Sequence, residues 1–124
     1  MRINKNDIPA VLSVPGATAR QVTTGTDLAA EYFSLAAGTD IKPLLAGLDG
    51  DLCQVAHWGH VLDGALVVTF ADGTEERPAA GDCFHWPPGH SVRVEADAEV
   101  ILFSPLHDHR QVLDHMGAKL ASLA

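Results

Sequence analysis

Seven histidines and two cysteines have the widest chemical reach in this chain, and their positions sort them. His57, His60, His85 and His90 lie among short apolar segments, whereas His107, His109 and His115 lie towards the end of the sequence. Side chains alternate faces along a strand, so Asp51, Cys53, Val55 and His57 share one face if that stretch is regular. His90 follows Pro87-Pro88-Gly89 and opens a segment that can bring a second imidazole to Cys53 and His57. A thiolate with two imidazoles suits zinc, ferrous iron or copper, because soft sulfur and borderline nitrogen donors match those ions. The plainer reading makes Cys53 a small buried hydrophobe and the histidines ordinary hydrogen-bonding strand residues.

His107-Asp108-His109 has the outline of a metal-binding pair, but it follows Ser104-Pro105 at an expected helix entrance. Residues two apart on a helix point in different directions, so these histidines are read as surface groups. Trp58 and Trp86 are read as packing residues. The chain contains no Gly-x-Ser-x-Gly elbow, phosphate-binding Gly-rich loop, Cys-x-x-Cys pair or His-Glu-x-x-His sequence. Serine-nucleophile and nucleotide chemistry therefore lack their usual support.

The elements that must position these groups are short and β-rich. Residues 1–28 read as an irregular arm with one or two edge strands, and Glu31–Ala37 as a strand stopped by Gly38-Thr39-Asp40. A loop from Asp40 to Asp51 tucks Leu44, Leu45 and Leu48 against the body. Asp63-Gly64 and Asp72-Gly73 carry the Asp-Gly hairpin signal, and Ala65–Phe70 between them is apolar and β-branched. Cys83–Trp86, the alternating His90–Glu95 and Val100–Phe103 follow, with Ala96-Asp97 read as a turn. Strands at this spacing predict an antiparallel sandwich or barrel. A helix closes the chain, starting at Ser104-Pro105 or at Asp108, where Gln111 completes a capping-box pattern. Leu113, Met116, Leu120 and Leu123 form its apolar stripe.

The 124 residues suit one domain, and 47% hydrophobic content fills a core without disulfide or metal staples. A net charge of −8 repels phosphate backbones and anionic lipid, which argues against nucleic-acid and membrane partners. No apolar run approaches the roughly 18 residues of a membrane span. The first residues lead into no apolar signal segment, and two cysteines make no disulfide framework, so a cytoplasmic location is expected.

Two stretches, His57-Trp58-Gly59-His60-Val61-Leu62-Asp63-Gly64 and Gly81-Asp82-Cys83-Phe84-His85-Trp86-Pro87-Pro88-Gly89-His90, resemble the two motifs of a cupin domain. Gly81, five residues and then Pro87-x-Gly89 keep the second motif's spacing, and Val61-Leu62-Asp63-Gly64 is similar to the end of the first. The resemblance implies an all-β, double-stranded β-helix (a jelly-roll barrel) over residues 29–104, an arm over 1–28 and a short C-terminal helix over 105–124, in one domain. Its implied ligands depart from the family pattern. Counted back from Gly64, the family's glutamate falls on His57 and its His-x-His pair on Asp51-Leu52-Cys53. The second-motif histidine falls on Val92, which binds no metal, and His90 can replace it from the same strand face; the motif's asparagine falls on Ala96. The implied metal set is Asp51, Cys53, His57 and His90, holding a divalent ion, zinc or iron.

The resemblance further implies a barrel open at one end that takes a small molecule, and pairing into a homodimer. As an enzyme, such a protein polarises a substrate oxygen or binds dioxygen at its metal. His60 is then an acid/base candidate only if it turns inward, against the parity set by His57. The alternative is a non-catalytic ligand-binding or sensing module without metal.

Overall fold

Apolar residues recurring at strand spacing fold, in the computed structural model, into one antiparallel seven-stranded sheet; the structure describes residues 1–123. The strands are β1 (Ala10–Val14), β2 (Ala17–Thr23), β3 (Leu28–Leu35), β4 (His57–Phe70), β5 (Glu75–Glu76), β6 (Cys83–Trp86) and β7 (His90–Pro105), followed by helix α1 (Leu106–Leu123). Neighbours run β1-β2-β3-β7-β4-β5, and β6 also pairs with β4. Long β7 is the hub, pairing with β3 from Ala98 to Pro105 and with β4 from His90 to Phe103. The result is the all-β jelly-roll barrel with a C-terminal helix. No helix among the described residues is long and apolar enough to cross a membrane.

Two apolar clusters hold it together. Val61, Leu66, Val68, Val94, Val100 and Leu102 fill the barrel interior, where the rings of Phe84 and Trp86 stack with centroids 3.9 Å apart. The second cluster joins the loop before β4 to the helix, through Leu45, Cys53, Val55, Val112, Leu113 and Met116. Trp58 differs from the packing role expected of it. It is half exposed and stacks on His85 outside the barrel, because it alternates with the buried His57.

Three expected features differ, each for a reason of backbone geometry. Asp72-Gly73 turns the chain from β4 to β5, with the Phe70 N–H donating to Thr74 O at 2.9 Å. Asp63-Gly64 instead lies inside β4, where the register with β7 shifts between Val61 and Leu66. Ala96-Asp97 faces that irregularity inside β7, so the two expected turns are one paired bulge. Gly64 has φ +84°, and a Cβ there would meet the Asp97 carbonyl, so only glycine fits. Asp49–Asp51 forms a 3₁₀ turn that leaves Asp51 left-handed at φ 57°, so Asp51–His57 is not a regular strand.

Helix α1 begins at Leu106, whose N–H donates to Asp27 O at 2.9 Å. Its buried face is His109, Val112, Leu113 and Met116. Of the expected stripe, Leu113 and Met116 are buried, Leu120 is half-buried and Leu123 is exposed. These spacings of three, four and seven put His109 on the apolar face. The expectation that His109 is a surface group is therefore overturned.

Candidate metal centre

Cys53, His57 and His109 converge beneath the helix, each buried, with one potential ligand atom of each within 4.8 Å of the others. Cys53 arrives from the loop before β4, held by its N–H to His90 O at 2.9 Å and by its carbonyl, which accepts from the Gly89 N–H at 2.8 Å. His57 opens β4 and His109 lies in the first turn of α1. Cys53 Sγ lies 3.6 Å from His57 Nε2 and 3.8 Å from Val55 O.

Behind the imidazoles stands a fully buried carboxylate. Glu31, on β3, accepts from Ser104 Oγ at 2.5 Å, from Gln21 Nε2 at 2.9 Å and from His109 Nδ1 at 2.5 Å. Ser104 spends its proton on Glu31, so its oxygen accepts from His57 Nδ1, 2.6 Å away. The β4–β7 register sets up this contact: Trp58 pairs with Phe103, which brings His57 opposite Ser104. Both Nδ1 atoms are therefore donors, and the Nε2 of His57 is turned towards Cys53 with its lone pair free. Carboxylate support of this kind fixes the tautomer and orientation of metal-binding histidines.

Burial favours the uncharged forms of His57, His90 and Cys53. Burial holds His57 well below the ordinary imidazole value, and the nearby His109, His90 and His85 add to this. His90 is lowered to about 4, chiefly by burial, against an opposing hydrogen bond to Pro87 O. Burial pushes the Cys53 thiol up to about 11, so it is not a nucleophile at neutral pH unless a cation displaces its proton.

Of the residues expected at a metal, Cys53 and His57 are brought together, and His90 stands beside them with its ring centroid 5.0 Å from that of His57. His90 Nδ1 donates to Pro87 O at 2.8 Å, which leaves its Nε2 unprotonated. Asp51 is not brought in. It is exposed, and its carboxylate accepts from the Gly47 N–H at 2.9 Å, because the 3₁₀ turn breaks the assumed alternation. His60 stays on the outer side of β4, with its Nδ1 3.5 Å from the Sγ of exposed Cys83. Sequence reasoning missed His109, Glu31 and Ser104. The helical phase of His109 with Val112, Leu113 and Met116 carried a usable signal, whereas Glu31 and Ser104 acquire meaning only through strand register.

Cys53, His57, His90 and His109 line a cavity of about 570 Å³. The rest of its wall is mainly aliphatic, from β1, β2, the barrel strands and the inner face of α1.

No family model matches the chain, and no curated protein matches it by sequence. Solved structures match it in fold. An RmlC-like cupin from Shewanella frigidimarina is 17% identical with a TM-score of 0.62, over 86% of this chain and 92% of that one. The polyketide cyclase RemF from Streptomyces resistomycificus is 19% identical with a TM-score of 0.60, over 86% and 80%. Bacillus subtilis oxalate decarboxylase, described with Mn(II) centres, is 24% identical with a TM-score of 0.61, over 81% of this chain but only 28% of the decarboxylase. The chain has the cupin fold. Within it stands a buried cluster of one thiol and two imidazoles, with a third imidazole alongside.

Proposed function

We propose that this protein is a metal-binding cupin that holds zinc through Cys53, His57 and His109 and receives a small molecule in the adjoining cavity. The observation that carries the reading is the convergence of Cys53, His57 and His109, with both imidazoles fixed from behind through Glu31. The donor set fits the ion: sulfur and neutral imidazole suit zinc better than the oxygen-seeking ions do. Zinc bound here would supply Lewis acidity towards a substrate oxygen.

The chain's own residues do the rest. Glu31 and Ser104 orient His57, Glu31 alone orients His109, and Gln21 steadies Glu31. His90 Nε2 can accept a hydrogen bond from a hydroxyl in the cavity. The helix and the aliphatic walls give the cavity a mainly apolar lining. Iron in the same place is a less suitable partner, given the single thiolate and the absence of a carboxylate among the three donors. The competing reading, a metal-free ligand-binding module, is favoured by the cavity's apolar walls.

Elemental analysis of tag-free protein purified with zinc and iron supplied tests the first reading. About one zinc per chain is expected, falling at least tenfold in Cys53→Ser and in His109→Gln and unchanged in Asp51→Asn. Folded wild-type protein without metal would leave the metal-free module standing.

A further inference from the structure

The cavity carries a second signal, independent of the histidines. Trp86 is buried at 4% exposure and lines the cavity, yet its indole Nε1 has no hydrogen-bond partner. A buried N–H without an acceptor is uncommon and is a specific demand on whatever fills the space. The ring of His90 lies 5.7 Å from that of Trp86, centroid to centroid, and its Nε2 is a free acceptor. The two rings thus stand side by side in the cavity wall.

The charges around the cavity point the same way. Among the described residues no lysine or arginine lines it, and the one charged lining residue is Asp40, exposed and acidic. A divalent ion at the proposed centre would be matched by the Cys53 thiolate and the Glu31 carboxylate, leaving no surplus positive charge. An anionic guest would be stripped of water with no cation to meet it, inside a molecule of net charge −8.

We infer that the cavity binds an uncharged, mostly apolar molecule bearing one hydroxyl or carbonyl group, whose oxygen accepts from Trp86 Nε1. The volume of about 570 Å³ matches the cavities of roughly 300–1,000 Å³ that hold drug-sized ligands. The match of oxygen to metal rests on the proposed centre. Apolarity and the Trp86 contact rest on the cavity wall alone.

Two probes on the same ring system separate the charge classes: 2-naphthol, neutral at pH 7, and 2-naphthoate, an anion. Calorimetric titration of chelator-treated and of zinc-supplied protein, with zinc content measured on each sample, gives both affinities. Naphthol is expected to bind at least tenfold more tightly than naphthoate in both forms. Trp86→Phe keeps a ring in place and should weaken naphthol five- to tenfold while naphthoate changes less. Naphthol preference in a protein that takes no zinc supports the cavity inference and removes the metal. Equal or tighter naphthoate binding, or binding of neither probe, overturns the inference whether or not zinc is present. A Trp86→Phe chain that melts like wild type and binds naphthol equally well overturns the hydrogen-bond assignment.

Discussion

At the scale of single residues, the buried imidazoles make the protein's stability depend on pH. His90 titrates near 4 in the fold against 6.5 for a free imidazole, and His57 is also held well below its ordinary value. Between these values the unfolded chain binds more protons than the fold, so stability rises with pH across the window. It is fully present above 6.5 and falls as acid is added towards 4. Each such histidine tilts the balance by at most about 1.4 kcal/mol per pH unit. Cys53 acts at the other end: with its thiol raised from 9 to about 11, its contribution is whole below 9 and is lost as the pH rises towards 11. Urea melts of chelator-treated protein from pH 4 to 8 should show the acid-side loss, and His90→Gln should flatten it by about half. A variant profile with the wild-type slope would remove His90 as a source.

At the scale of elements, the pairing of β4 with β7 decides the site, because it sets His57 opposite Ser104 and hence one bond from Glu31. Gly59 guards that pairing. A Cβ there would run into the Ile101 carbonyl and the Phe84 ring. Because one of those neighbours is backbone and cannot give way, Gly59→Ala should cost about 3 kcal/mol or more, the upper end of overpacking. Gly73→Ala meets no atom, and at φ +86° should cost only about 1–2 kcal/mol of backbone strain. Equal denaturation midpoints for the two variants would contradict this register. The same element explains what the sequence made legible. Asp72-Gly73 and Asp63-Gly64 send one local signal, and only the strand lying opposite makes the second a bulge. Motif spacing leads to Cys53 and His57, whereas it lands on Val92 in the second motif, and His90 is reached only by strand parity. Asp51 misled, because nothing nearby announces a left-handed turn in an apolar run. The His107-Asp108-His109 spacing marks His109 as a surface group, whereas its helical phase with Val112, Leu113 and Met116 puts it on the buried face.

At the scale of the whole molecule, the centre is where otherwise separate parts meet. Cys53 comes from the loop, His57 from β4, His109 from α1, Glu31 from β3, Ser104 from β7 and Gln21 from β2. The helix meets the rest through the second apolar cluster, the His109–Glu31 contact and hydrogen bonds at Leu106 and His115, and an ion held by His109 adds a further tie to the barrel. Any ligand that binds only the folded state stabilises it, by about 2.7 kcal/mol at a hundredfold excess over Kd. For a chain of this size that is roughly a 10 °C rise in Tm. Amide exchange should slow throughout Leu106–Leu123 when zinc is added, with smaller changes in β1 and β5, which hold none of the donors. His109→Gln should abolish both the slowing and the Tm rise, whereas substitution of exposed His107 by Gln should preserve them. Zinc that raised Tm without slowing exchange in the helix would place the ion on Cys53 and His57 without His109, and the helix would then be a packed wall of the cavity rather than part of the centre.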